Sequence, residues 1–207
     1  PKKSQGLSTT ISTTGNDGEI LDLTTVIKAS QAIYGEIKLE NLLHNLMKIV
    51  IENAGAQKGF LIFKNKSNWV IEVQGDVKEE EVTILQSIPI KLKEHDNSNL
   101  ILPDSIINYV ARTQEYVVLD EAFSEGQFIN DPYIIANQTK SILSTPLLNQ
   151  GELKGIVYLE NNLTTGAFTS QRIELLKILS AQAAISIDNS RLYQTLEQRV
   201  EERTKEL

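Results

Sequence analysis

Residues 140–161 read Lys140-Ser-Ile-Leu-Ser-Thr-Pro-Leu-Leu-Asn-Gln-Gly-Glu-Leu-Lys-Gly-Ile-Val-Tyr-Leu-Glu-Asn161. Two apolar runs, Ser141 to Leu148 and Leu153 to Glu160, flank the polar turn Asn149-Gln150-Gly151-Glu152, with glycine where a positive φ is expected. The pattern predicts a β-hairpin. An earlier pair of runs repeats it: Gly59-Phe-Leu-Ile-Phe63, the turn Asn65-Lys66-Ser67-Asn68, and a strand with Trp69, Ile71 and Val73 on one face and Glu72 and Gln74 on the other. Val82 to Leu92 holds a further strand segment, ending in the alternating Ile88-Pro-Ile-Lys-Leu92, whose proline belongs at a sheet edge or a strand start. Lys93 to Asn99 is a polar loop, and Tyr116-Val-Val-Leu119 a short strand.

Helices are predicted around these strands. Leu23, Val26, Ile27, Ile33 and Tyr34 fall at helical spacing before Gly35. Leu39, Leu42, Leu43, Leu46, Met47, Val50 and Ala54 then form an apolar stripe, with Glu40, Asn41, His44, Lys48 and Glu52 opposite it and Gly55 as the stop. Pro103-Asp104-Ser105 starts a helix that buries Ile106, Ile107 and Val110. From Thr169 to Leu207 there is neither glycine nor proline, which predicts one helix of about 58 Å at about 1.5 Å per residue. Its first half carries Ile173, Leu176, Leu179 and Ala183 for a core; its second half is a charged rod with a thin apolar line. Hairpins with helices gathered before and after them indicate an α+β class, a central antiparallel sheet flanked by helices.

Composition narrows the function. The chain has 207 residues, 41% apolar and 23% charged, which suits one domain with an extension. A formal net charge of −7 and the lack of any Lys/Arg cluster argue against a nucleic-acid partner. No run of about 18 apolar residues and no signal-peptide pattern occurs, so the expectation is a cytoplasmic protein without membrane contact. The absence of cysteine excludes disulfides, thiolate nucleophiles, covalent thioethers to a pigment and Cys-ligated metals.

Leu42-Leu43, Gly59-Phe-Leu-Ile-Phe63, Val117-Val-Leu-Asp120, Lys140-Ser-Ile-Leu-Ser-Thr-Pro-Leu147, Gly155-Ile-Val-Tyr-Leu-Glu-Asn161 and Phe168-Thr-Ser together resemble a GAF domain over about Leu21 to Leu192. The continuation through Leu207 is similar to connector helices between sensor modules and histidine kinase or other output domains, a pattern that also fits the multi-domain kinases of cyanobacteria. The resemblance implies a GAF/PAS-like fold whose last helix carries a signal, a dimer, and a pocket beneath the irregular segment Asp120 to Lys140. It implies residues 1–18 as linker, 19–190 as the domain and 191–207 as a coiled-coil connector. Without cysteine there is no covalent bilin and no methionine sulfoxide chemistry of the family's type. Asn65-Lys66 and Asp120-Glu121 do not reproduce the cyclic-nucleotide motif, and the cofactor stays unknown.

Phe128, Tyr133, Ser141 and Ser144 are the expected ligand contacts, a ring face and hydroxyls in an apolar cleft; the alternative is that Phe128 and Tyr133 only pin the loop. His44 and His95 read as solvated side chains rather than metal ligands, and the Asp120-Glu121 pair lacks a nucleophile or base beside it. Neither a catalytic nor a metal site is expected. In the last helix Ile185, Asn189, Leu192 and Leu196 follow coiled-coil spacing, with Asn189 fixing register; a four-residue shift after Leu196 brings in Val200 and Leu207. The expected function is a homodimeric sensor that binds a small molecule or a partner and relays the signal to a C-terminal output domain in two-component signalling. The alternative is a ligand-free dimerisation and assembly module.

Overall fold

The computed structural model describes residues 23–78, 81–90 and 100–205. The expectations for segment 1–18, for the loop 93–99 with His95 and for Leu207 lie outside the described residues. In chain order the elements are α1 (Leu23–Tyr34), α2 (Leu39–Ala54), β1 (Lys58–Asn65), β2 (Asn68–Asp76), β3 (Glu81–Pro89), α3 (Asp104–Thr113), β4 (Val117–Leu119), α4 (Pro132–Asn137), β5 (Ser141–Asn149), β6 (Glu152–Asn161) and α5 (Ser170–Lys205). The strands form one antiparallel sheet in the order β3-β2-β1-β6-β5-β4. Both predicted hairpins are present, and the β1–β6 ladder, from Lys58 opposite Glu160 to Ile62 opposite Ile156, joins them. Pro89 ends the edge strand β3, where a missing N–H leaves no gap in a central ladder.

Period-2 alternation sends the central side chains both ways. Leu61, Phe63, Leu143, Val157 and Leu159 meet α1, α2 and α5 on one face. Phe60, Ile62, Ile142, Ile156 and Tyr158 meet α3, α4 and their flanking segments on the other. Strand β2 departs from the simple alternation read in the sequence. A register irregularity between Ile71 and Val73, against Leu61 and Ile62 of β1, places Ile71 in the α3/α4 cluster and Val73 in the α2/α5 cluster. One extra residue in a bulge reverses the facing of the strand beyond it.

Helix ends reflect their local chemistry. Gly55 caps α2 at φ 70°, and its carbonyl accepts the Asn161 side-chain amide at 2.8 Å. Thr169 precedes α5, its carbonyl accepting the Ile173 N–H at 3.0 Å. Helix α2 lies close to the sheet because Gly59 and Gly75 stand opposite each other on β1 and β2. A Cβ at Gly75 would come within 2.3 Å of Ile51 Cδ1 and 2.9 Å of Met47 Cγ.

Gly75→Ala is therefore expected to destabilise the chain by about 1–3 kcal/mol, as overpacking does. Adding Ile51→Val removes the nearest methyl group, and urea midpoints should show that the pair recovers part of the loss rather than adding to it.

Candidate functional site

The side of the sheet covered by α3 and α4 carries a buried polar network. Asp131 caps α4: its Oδ1 accepts the Tyr133 N–H at 2.8 Å, with Pro132 supplying the first helical residue. The other oxygen accepts the Ser105 N–H at 3.2 Å and the Ser105 hydroxyl, so one carboxylate starts α4 and joins it to the first turn of α3. Tyr133 then points at the sheet. Its hydroxyl donates to Glu160 Oε2 at 2.9 Å, and the Tyr158 hydroxyl donates to the same oxygen at 3.1 Å. Asn162 approaches Oε1 at 3.4 Å.

Glu160 is 1% exposed. Burial pushes its carboxyl above the usual range, partly offset by the Tyr133 hydroxyl, the Lys58 charge, and the Tyr158 and Asn162 donors. The same burial, followed by the charge of Glu160, raises both phenols far above the ordinary tyrosine value. Period 2 places Glu160 on the face of Ile156 and Tyr158. A carboxylate ending an inward-facing apolar strand was the available signal for this centre, which the reading of single residues missed, along with Ser105.

The four expected ligand contacts divide. Phe128 packs edge-on against Tyr109 with ring centroids 5.6 Å apart, and Tyr133 is bonded as described. The Ser141 hydroxyl lies between the carbonyls of Asp120, at 3.3 Å, and Thr164, at 3.0 Å, and accepts the Ala167 N–H at 3.1 Å. The Ser144 hydroxyl donates to the Val157 carbonyl at 3.2 Å. Phe128 and Tyr133 thus belong to the α3/α4 layer, whereas the two serines tie backbone segments together. His44 is half buried on α2, and among the described residues no group of three or more His, Asp or Glu could hold a metal ion.

A second feature lies on the opposite face. Helix α5 contributes Leu176, Leu179, Ala183, Ala184 and Ile187 to the core, and its last buried residue is Ser190. Ile185, Leu192, Leu196 and Val200 are exposed at 41–65%, and Asn189 between them is exposed too. At the exit from the domain Asp188 Oδ2 accepts the Asn149 amide at 2.7 Å and pairs with Lys154 at 3.0 Å. Both partners flank the β5–β6 turn, so that turn holds α5 one residue before Asn189. No helix among the described residues is long and apolar enough to cross a membrane.

A family model described as GAF domain matches residues 38–187. The hybrid signal transduction histidine kinase G of Dictyostelium discoideum is 26% identical over 268 aligned residues, covering 84% of this chain and 8% of that protein. A peroxide stress-activated histidine kinase of Schizosaccharomyces pombe, mak3, is 27% identical over 176 residues, covering 84% of this chain and 7% of that protein. The chain therefore spans less than a tenth of the length of these relatives. Among solved structures, the GAF domain from a phosphoenolpyruvate-protein phosphotransferase of Coxiella burnetii superposes with a TM-score of 0.61 at 17% identity, covering 84% of this chain and 96% of that one. That likeness concerns the fold.

Because Glu160 binds its proton more tightly folded than unfolded, its contribution to stability is complete below the ordinary value of 4.5 and is lost as pH rises through the higher folded value. Urea midpoints of the wild type should fall over that window more steeply than those of Glu160→Gln; parallel pH curves would remove Glu160 as the titrating group. Tyr133→Phe, which takes one donor from the buried carboxylate, is expected to cost about 1–3 kcal/mol at neutral pH.

Proposed function

The chain belongs to the GAF family, and we propose that it is the regulatory sensor module of a histidine kinase or related two-component protein, non-catalytic in itself and working as a homodimer in the cytoplasm. The observation that carries this reading is α5: one 36-residue helix whose inward face is buried as far as Ser190 and whose continuation is exposed along an apolar line. A helical stretch with so little buried surface is marginal alone in water, which favours pairing through Ile185, Asn189, Leu192, Leu196 and Val200, with the first helix contributing. The sequence match to two histidine kinases supports an output domain elsewhere in the protein, which this reading places C-terminal to α5.

In this reading a small molecule or a partner engages the α4 face, with Phe128, Tyr133, Ser141 and Ser144 among the contacts. Its identity is open apart from the exclusion of a covalent bilin, since there is no cysteine. Binding biases one of two arrangements of α4 and its loops. Strands β5 and β6 lead from that face to the turn that holds Asp188, so a shift of the hairpin would reach α5 where it leaves the domain. Neither nucleic acid nor a membrane takes part.

One observation favours a second reading, an assembly module without ligand. The hydroxyls of Tyr133, Ser141 and Ser144 are all engaged by the protein itself, and Phe128 is packed on Tyr109. Native mass spectrometry of the purified chain separates the two: a retained small molecule supports the sensor, and a bare mass in every preparation supports the assembly module.

Sedimentation equilibrium tests the dimer. The intact chain is expected to associate at about tens of micromolar or below, typical of weak dimers, and the Leu192→Asp, Leu196→Asp double variant to sediment as a monomer. An intact chain that stays monomeric there would sink the relay.

A further inference from the structure

We propose that the cleft where the edge of the sheet meets α5 is a second binding site, one that takes a small aromatic carboxylate, with Lys177 holding the acid group and Tyr116 the ring. It lies away from the face covered by α4, and it requires no dimer.

The cleft opens where β4 stops. Strand β4 is at the edge of the sheet, and its pairing with β5 ends at Val117 opposite Ser144. Strand β5 runs on to Asn149, so Thr145, Pro146 and Leu148 form one wall beyond that last pair, and Lys177 and Ala181 of α5 form another. Gln114, which caps α3, and Tyr116 complete the lining of a cavity of about 350 Å³. Sites for small molecules run from about 300 to 1,000 Å³.

The polar groups of the cleft are suited to an anion. Thr145 is 4% exposed, yet its hydroxyl has no hydrogen-bond partner among the described residues. Period 2 sets Thr145 on the face of Leu143 and Leu147, that of α5. A hydroxyl withdrawn from water without a partner is costly, and a bound acceptor removes that cost. The Lys177 ammonium stands 4.1 Å from the centroid of the Tyr116 ring and 3.0 Å from Glu174 Oε1. Glu174 is 61% exposed, and a surface pair of this kind holds its cation weakly. With three donors, the ammonium can keep Glu174 and accept a second carboxylate as well. Glu115, the acid between Gln114 and Tyr116, is engaged elsewhere, accepting the Tyr109 hydroxyl at 2.9 Å.

The rest of the lining selects the body of the ligand. Pro146, Leu148 and Ala181 are apolar, and the Tyr116 ring is 49% exposed, which leaves area for a planar ring to stack in an offset arrangement. A peptide strand added to β5 fits less well, because Pro146 has no N–H to give it. A ligand in the cleft would bridge the end of α3, strand β5 and α5. Strand β5 leads into the turn whose Asn149 holds Asp188, so occupancy would steady the hairpin used by the proposed relay. Only this last consequence rests on the relay.

The test is a titration of the intact, isotope-labelled chain with benzoate at constant ionic strength, followed by amide NMR. Saturable shifts are expected at Tyr116, Thr145, Leu148, Lys177 and Ala181, with a Kd of about millimolar or tighter. Lys177→Gln should weaken binding about tenfold or more through loss of the charged donor. Thr145→Val should weaken it severalfold while leaving the urea midpoint equal or higher, since it removes an unpaired hydroxyl. Native spectra of both variants establish that they fold. Equal affinity for benzamide overturns the role of the carboxylate, and equal affinity for cyclohexanecarboxylate overturns that of the ring. Shifts that do not saturate, or that centre on Phe128 and Tyr133, overturn the site. A monomeric chain that binds benzoate here defeats the relay and leaves this proposal standing; a dimer without saturable binding does the reverse.

Discussion

Strand β6 sends Ile156 and Tyr158 into one apolar cluster and Val157 and Leu159 into the other, all of them buried. Each such side chain contributes about 1.5–3 kcal/mol when removed from water. Both sets are buried only if helices lie on both faces of the sheet, which ties the remaining elements to β6. Its neighbours β1 and β5 are drawn into the same two-sided packing. The glycines on β1 and β2 let α2 come close enough to complete one layer, and α3 and α4 complete the other.

The two layers are built differently. The α1/α2/α5 side is an apolar helix-on-sheet contact in which Ser180, Ala183 and Ala184 keep α5 close to its neighbours. The α3/α4 side places acids beneath its helices: Asp131 ties α4 to α3, and Glu160 gathers the Tyr133 and Tyr158 hydroxyls. Short elements with few apolar contacts of their own lean on such polar bonds. A layer held this way has a small number of discrete attachments that a bound molecule could exchange, whereas the helical layer is suited to rigid transmission. The division of labour proposed for the module rests on that contrast.

Much of this was legible in the residues. The hairpin around Gln150-Gly151, the stripe from Leu39 to Ala54 and the absence of helix breakers after Thr169 each fix an element through local rules of backbone conformation and amphipathic spacing. The exposed line Ile185, Leu192, Leu196 was visible for the same reason. Less legible was the facing of Val73, because a bulge is set by the partner strand and leaves no mark in the period of the strand that bulges. Also hidden was the engagement of Ser141 and Ser144 by backbone carbonyls, since a hydroxyl available to a ligand and one already satisfied look alike in a sequence.

The kinds of element, their order and the α+β class are written in the sequence alone, because they depend on side-chain periodicity and turn chemistry within a few residues. The lack of cysteine likewise removes every function that needs a thiol. It takes the assembled fold to bring Glu160, Tyr133, Tyr158 and Asp131 into one buried network. Those are relations between residues up to 29 positions apart in the chain, such as Asp131 and Glu160. Whether a polar group has a partner depends on which segments meet in space, and no local pattern encodes that.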